Sequence, residues 1–495
     1  MKNIYILLGI TALLMTGCKE GFLDKNPDMR ATIDSKRKVQ LLLVSAYTEA
    51  NAGAIMEFSS DNVIDNNSPD KYGHCNNLQP LDKMYNEIFG WLPVVSSSSQ
   101  DSPTYIWNAC YTAIAAANQA LDAITELEKQ GLNMNAEKGE ALLIRAYHHF
   151  LLSMVFCQAY QTDELSNKPE SGLVYMTSPE TQVKPQYTRL TLTETYKMIE
   201  KDLEAGLAWV SDDYYTVPKF HFNIKAAHAF AARFYLYYRQ WDKVIQHANV
   251  VLGTDYTTTR SMLFDHAANK LTTDVQSDFN GWTDAKSNSN LLLYTTMSQA
   301  PYTIFESYGR YQLNREARDY TMDCAGPCWD QDKLGRAFHS WSTSSGNYGS
   351  MMGKFYYLFE YTDKVNGYGM IHGMTRAFTS DETLLCRAEA KVYTNDYDGA
   401  VEDLRTWCEC YNVEKSVMYM KADSSVDLTA NRIKFFYGQQ QLGTPYTPEL
   451  HTSELTDGAW VLDAKQIPFI HCCLHFRRIE TSAFFGSPRQ RSLLS

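Results

Sequence analysis

Two stretches of the chain repeat one another without a gap. "YLYYRQWDKVIQHA" (residues 235–248) aligns with "KVYTNDYDGAVEDL" (residues 391–404), so that Trp241 falls on Tyr397, Asp242 on Asp398, Val244 on Ala400 and Ile245 on Val401. Each copy reads as a helix, a short turn closed by an aromatic, and a second helix with small and apolar contact positions. This is the pattern of a tetratricopeptide-type hairpin. A single hairpin cannot bury its faces alone and must stack on others. The repeat therefore constrains the chain to an all-α fold built as a right-handed array of helical hairpins.

Helical period recurs elsewhere. Trp107, Tyr111, Ile114, Leu121 and Ile124 are spaced at three, four or seven, as are Leu143, Tyr147, Phe150 and Met154. "WNACYTAIAAANQALDAITEL" and "KGEALLIRAYHHFLLSMVFCQAY" make a further helix pair. Thr191 and Glu194 have the spacing of a capping box, and Asn223 and Ser380 are placed to cap helices. Hairpins are expected over about residues 105–252 and 380–412. Between about 255 and 378 the texture changes to Gly, Ser, Asn and Thr with scattered aromatics, as in "SDFNGWTDAKSNSN" and "AFHSWSTSSGNYGSMMG". Short strands are expected within it at "LLLYTT" and "KFYYLFEYT". Residues 62–106 form a smaller region of the same kind. A large irregular lobe on a rigid frame is where binding residues concentrate.

The aromatics divide along the same line. Trp107, Trp209, Trp241 and Trp407 fall in helical patterns and are expected to pack within or between hairpins. Trp91, Trp282, Trp329 and Trp341 fall in loop-like segments, near Tyr302, Tyr308 and Tyr348. These seven are the candidate ligand platform, because a flat ring buries the face of a sugar or peptide while the rim of the site supplies hydrogen bonds. At least one of Trp282, Trp329 and Trp341 is expected to touch ligand. The 33 tyrosines suit either use, packing or binding.

The start of the chain reads as an address. Lys2 precedes the apolar run Ile4–Met15, which is too short to cross a bilayer as a helix and fits the h-region of a cleavable signal over residues 1–17. Leu14-Met15-Thr16-Gly17-Cys18 resembles a bacterial lipobox, with Met15 where Leu is usual, and makes Cys18 the expected lipidation site. Two or three acyl chains would hold such a protein on a membrane.

Composition excludes several functions. The net charge of −12, without a basic stripe, argues against nucleic acid. No nucleophile elbow, phosphate loop or His-Glu-x-x-His is present. Asp61, Asp65 and Asp70 cluster without the EF-hand spacing and read as solvated loop carboxylates or caps. His148 and His149 read as packed core histidines, and His471 and His475 as part of a core helix rather than metal ligands. Cys324 and Cys328 are the best disulfide candidates. No cofactor, metal or catalytic residue is expected.

Set in order, these segments resemble the SusD/RagB outer-membrane nutrient-binding lipoproteins of Bacteroidota. "CKEGFLDKNPD" resembles that family's mature start, and "LLLVSAYTEA" with "EFSSDNVIDN" its next segment. "WNACYTAIAAANQAL" and "RAYHHFLLSMVFCQAY" resemble its first hairpin. "NIKAAHAFAARFYLYYRQWDKVIQHANVVL" and "FTSDETLLCRAEAKVYTNDYDGAVEDLR" resemble the later ones. The resemblance spans residues 18 to about 480. It implies a tetratricopeptide-like array with an irregular binding lobe, no enzymatic activity, and a place on the outer face of the outer membrane. It also implies delivery of a nutrient, most often a glycan, to a SusC-type TonB-dependent porin. The alternatives are peptide capture in the manner of RagB, a surface hydrolase, and an assembly scaffold. The match stops near Thr481, where relatives continue into an Arg-Trp-Phe-Asp-like segment. A frameshift or early stop after about residue 481, or a natural shorter variant, accounts for this; a truncation would leave the helix around Phe469–Ile479 without a packing partner.

Overall fold

The computed structural model describes residues 33–69, 77–95, 97–180, 185–266, 275–305, 309–313, 317, 321, 325–327, 354, 357–411, 413–416, 419–422, 427–441, 444, 447, 450 and 462–481. Short helices α1 (Lys36–Val44), α2 (Ala52–Phe58) and α3 (Met84–Phe89), with strand β1 (Ile64–Asp65), precede the main array. The array comprises α4 (Pro103–Lys129), α5 (Asn135–Phe156), α6 (Leu192–Leu207), α7 (Ile224–Tyr237) and α8 (Trp241–Leu252). The chain continues through α9 (Tyr256–Met262), α10 (Val275–Trp282), β2 (Asn290–Thr296), α11 (Ala300–Phe305), β3 (Tyr311–Gln312), β4 (Leu358–Asp363) and β5 (Tyr368–Thr379). It ends with α12 (Ser380–Tyr393), α13 (Tyr397–Tyr411), the hairpin β6 (Val413–Ser416) and β7 (Tyr419–Ala422), α14 (Ala430–Gln439) and α15 (Ile467–Thr481).

Local chemistry sets the helix ends. Ser102 caps α4 by accepting from Tyr105 N, with Pro103 in the first turn, where its missing N–H costs nothing. Thr191 and Glu194 form the expected capping box of α6, and Asn223 caps α7 by accepting from Ala226 N. The cap of α12 is Thr379 rather than Ser380: Thr379 accepts from Glu382 N at 3.2 Å, while the Ser380 hydroxyl donates to Met262 O. The two hairpins of the sequence repeat, α7–α8 and α12–α13, turn through Arg239 (φ 61°) and Asn395 (φ 65°). These residues occupy the same aligned position, so the repeat extends to the backbone of its turn. Trp241 of one hairpin stacks on Tyr393 of the other at 4.1 Å.

The helices stack in sequence, α4 on α5, α5 on α6, α7 on α8, and α12 on both α8 and α13. Between α5 and α6 the approach is close. A Cβ on Gly206 would fall 2.7 Å from Leu143 Cγ, and one on Gly139 would fall 2.5 Å from Val210 N, so only glycine fits either place. A buried ion pair recurs in two hairpins. Arg145 of α5 grips Asp202 of α6 through Nε and Nη2, both at 2.7 Å. Arg387 of α12 grips Asp403 of α13 in the same fork, at 3.0 and 2.7 Å. The fork is the bidentate geometry that a planar guanidinium offers a carboxylate.

An antiparallel sheet in the order β2–β5–β4 lies against the array. Its inner face carries Tyr294 and Phe378, which meet Tyr147 of α5: the ring of Phe378 lies 5.3 Å from that of Tyr147, and the two tyrosine hydroxyls are 3.1 Å apart. Phe222 and Phe230 complete this aromatic cluster. Strand β5 passes directly into α12, and Arg233 of α7 clamps that junction by donating to Ala377 O and Glu382. Much of the tyrosine content is thus core packing.

Helix α15 departs from expectation. From Phe469 to Ile479 every residue is buried, with Phe476 stacked on Trp407 and Arg477 paired with Glu389 at 3.0 Å. It packs against α12, α13 and α14. The absent packing partner inferred from the sequence is supplied by these elements, and no apolar face of α15 lies open. Trp209 also departs: it follows the end of α6 and is exposed, because the helix stops two residues before it.

Candidate ligand-binding site

The site arises where the two loop-like regions of the sequence meet. β1 and β3 pair antiparallel, with Ile64 opposite Gln312 and Asp65 opposite Tyr311. Asn66 locks the junction. Its backbone N donates to Arg310 O at 2.8 Å, and its side-chain amide donates to Gly309 O and Gln312 Oε1, both at 2.9 Å. A pocket of about 320 Å³ opens beside this pairing. One wall is Gln79, Pro80 and Leu81; the other is Thr303, Gly309, Arg310 and Tyr311. The volume is at the small end of ligand sites, room for one or two rings. A Cβ at Gly309 would meet Gln312 Nε2 at 2.7 Å and Thr303 O at 2.9 Å, so the backbone itself must form that part of the wall.

Helix α3 braces the far side. Phe89 stacks on Tyr311 with ring centres 4.7 Å apart, and the Tyr311 hydroxyl donates to Asn86 Oδ1 at 2.6 Å. Burial raises the Tyr311 pKa, so the hydroxyl keeps its proton. Arg310 donates to Asp65 from Nε and Nη2 (2.9 and 2.7 Å) and to Asn86 Oδ1 from Nη1 (3.2 Å). Trp91 follows α3 after Gly90. Its side chain is 68% exposed, and its backbone sits at φ 56°. A left-handed backbone at a bulky residue costs roughly 1–2 kcal/mol, and such strain clusters at functional sites. Leu81, Leu92 and Val95 are exposed on the same segment. Of these, Leu81 also lines the pocket.

Of the seven aromatics expected to bind, Trp91 alone is described as an exposed side chain of this region. Tyr302 lies in α11, one residue before pocket-lining Thr303. Trp329, Trp341, Tyr308 and Tyr348 lie outside the described residues, as do Cys18, Asp70, Cys324 and Cys328. Trp282 is corrected. It ends α10 rather than sitting in a loop, is 6% exposed, and stacks on Phe264 at 3.9 Å with Arg376 and Lys354 over its faces. It packs the interior. Arg310, Tyr311, Gln79 and Thr303 were not singled out in the sequence. Two signals pointed near them: the loop composition of both regions, and Tyr302 and Tyr308 on either side.

The other singled-out residues have structural roles. Asp65 is largely buried in its pair with Arg310, whereas Asp61 pairs with Arg478 and stays exposed to solvent, as expected of a loop carboxylate. His148 accepts from Thr48 N at 3.0 Å, and His149 accepts from Met176 N at 3.1 Å. Each also bonds the carbonyl one turn earlier, Ile144 O and Arg145 O, which fixes both rings as neutral staples between α5 and neighbouring loops. His475 meets the Tyr437 hydroxyl at 2.9 Å. Among the described residues no group of three or more His, Cys, Asp or Glu is placed to hold a metal ion, and no described helix is long and apolar enough to cross a membrane.

A tetratricopeptide-like helical array that carries a small sheet and a pocket walled by Arg310 and Tyr311 defines the class of this protein. Residues 21–236 match the SusD-like family described as starch-binding associating with outer membrane. Over those residues the chain is similar to that family, and its fold is shared with solved structures of that superfamily. It is similar to a SusD superfamily protein from Bacteroides fragilis, with 15% identity, 92% of this chain and 89% of that one covered, and a TM-score of 0.56. It is also similar to a SusD superfamily protein from Bacteroides thetaiotaomicron, with 16% identity, 83% and 86% covered, and a TM-score of 0.54. A SusD-like carbohydrate binding protein from Bacteroides vulgatus matches with 18% identity, 90% and 80% covered, and a TM-score of 0.53. No curated protein matches the chain.

Proposed function

We propose that this protein captures a carbohydrate at the pocket between Tyr311 and Leu81. In this reading it is a lipid-anchored protein on the outer face of the outer membrane, and it passes its ligand to a SusC-type TonB-dependent porin. The observation that carries the reading is the pocket, whose wall presents amide, guanidinium and backbone groups, with Trp91 exposed two residues beyond the Phe89 that stacks on wall residue Tyr311. A sugar needs that combination, a flat apolar surface for its C–H face and donors for its oxygens. The family match, over residues 21–236, points the same way.

Calorimetry against an oligosaccharide panel tests the reading. Trp91 is largely exposed, so its removal should leave the fold intact. Trp91→Ala is expected to weaken binding about tenfold, since losing one stacked ring costs roughly 1–1.5 kcal/mol. Saturable binding of peptides with no saccharide bound would replace this reading by peptide capture. The anchor is tested separately: Cys18→Ala is expected to lose incorporated palmitate and to leave the membrane fraction. Membrane association that survives that change would remove the lipid anchor from the proposal.

A further inference from the structure

Arg310 is the one charged side chain among the described residues that line the pocket. Its charge is cancelled in place. Asp65 receives Nε and Nη2 in a bidentate fork, with the carboxylate supplied by the strand paired to Arg310's own segment. The carboxylate in turn raises the pKa of the guanidinium, so Arg310 keeps its charge. A guanidinium has five N–H groups. Two go to Asp65 and one to Asn86, which leaves two without a partner among the described residues. Gln312 stands behind this wall and is shut off from it. Its side chain is fully buried, its Oε1 accepts from Asn66, and its Nε2 has no hydrogen-bond partner among the described residues. That nitrogen lies 2.7 Å from where a Cβ of Gly309 would stand, directly behind the glycine wall of the pocket. The site therefore offers directional donors with no net charge.

We infer that the pocket selects uncharged sugar residues, and that Asp65 is the residue that sets this selection. The inference rests on the carbohydrate reading above and adds a specificity to it. Hydroxyl and ring oxygens accept from a paired guanidinium without disturbing its partner. The carboxylate of a uronic acid would have to share a fork already occupied by Asp65, and the two anions would repel at close range. Converting Asp65 to Asn removes the competing charge while keeping an Oδ1 for its other contact, Asn67 N at 3.0 Å. Arg310 then becomes an uncompensated cation in the wall.

The experiment compares neutral gluco- and manno-oligosaccharides with oligogalacturonates of equal length, by calorimetry, on the full chain and on Asp65→Asn. The wild-type protein is expected to bind a neutral oligosaccharide and to bind no oligogalacturonate within tenfold of it. Asp65→Asn is expected to gain at least tenfold in oligogalacturonate affinity, with a gain that shrinks as salt rises. Wild-type binding of oligogalacturonate at equal or greater affinity overturns the inference and leaves the carbohydrate reading standing. A folded Asp65→Asn protein with no such gain overturns the role of Asp65. Absence of any saccharide binding overturns the carbohydrate reading itself, and this inference with it. Should Asp65→Asn not fold, salt dependence on the wild-type protein decides. Affinity for the neutral ligand is expected to stay within about twofold between roughly 50 and 500 mM salt, where screening strips away charge-driven binding. A loss of tenfold or more over that range overturns the inference.

Discussion

Asp202→Ala is expected to lower unfolding free energy by about 3–5 kcal/mol, because it strands a buried cation. Arg145 and Asp202 are both more than nine-tenths buried. Besides the bidentate pair, Arg145 Nη1 donates to Asn118 Oδ1 at 2.9 Å and to Thr177 O at 3.2 Å, and the Tyr175 hydroxyl donates to Asp202 at 2.6 Å. Four parts of the fold meet at this point: α4, α5, α6 and the connector between α5 and α6. The ring of Tyr175 also stacks on His149 at 3.8 Å, so loss of the carboxylate loosens the histidine staple too. Replacing both partners together, Arg145→Met with Asp202→Leu, should recover most of the loss, since an apolar pair of similar volume needs no desolvation. Urea unfolding followed by circular dichroism measures both. A cost below about 1 kcal/mol for Asp202→Ala would show that the pair is not a keystone of the array.

Acid is expected to unfold the protein well before its carboxylates reach their ordinary titration range. Burial holds His148 and His247 down at about 4, and His149 and His475 at about 3, against an ordinary value of 6.5. Such a histidine takes up its proton in the unfolded chain first. Its contribution is therefore complete above about pH 6.5 and is lost as pH falls towards the folded value. By pH 5 the shortfall is on the order of 1–2 kcal/mol for each ring. Burial has the opposite effect on Asp101 and Asp381, whose pKa values rise to about 6. Those two hold protons that the unfolded chain gives up, and they add stability as pH falls from about 6 towards 3.8. Four histidines outweigh two carboxylates, so the net slope between pH 7 and 5 is a loss. Urea midpoints at half-unit pH steps check this, and a flat profile over that interval would contradict it.

The elements that were legible in the sequence are those made by near neighbours. The capping box of Thr191 and Glu194 closes over three residues, and Asn223 caps α7 across the same distance. The hairpin repeat rests on contacts between helices joined by turns of three residues, Tyr238–Gln240 and Thr394–Asp396. "LLLYTT" appears as β2: the run is too short for a core helix, ends in aromatic and β-branched residues, and follows the turn-forming "SNSN". The all-α class follows from such local patterns, since each one is written within a few residues.

What tertiary structure decided lies at long separation. The fork between Arg145 and Asp202 closes α5 on α6 across the connector 157–191, and nothing periodic marks that pairing. Trp282 and Trp91 stand in similar loop-like sequence, yet one is sealed against Phe264 and the other left exposed, according to what the rest of the chain brings against each. The buried face of α15 depends in the same way on α12, α13 and α14. The pocket depends on it most: two residues near position 65 pair with two near position 311, and the cancelled charge of Arg310 exists only through that pairing. Local sequence dictates where a helix begins and which of its faces is apolar. Which remote surface meets that face is settled only when the chain closes on itself, because burial and charge compensation are properties of the contact and not of the residue.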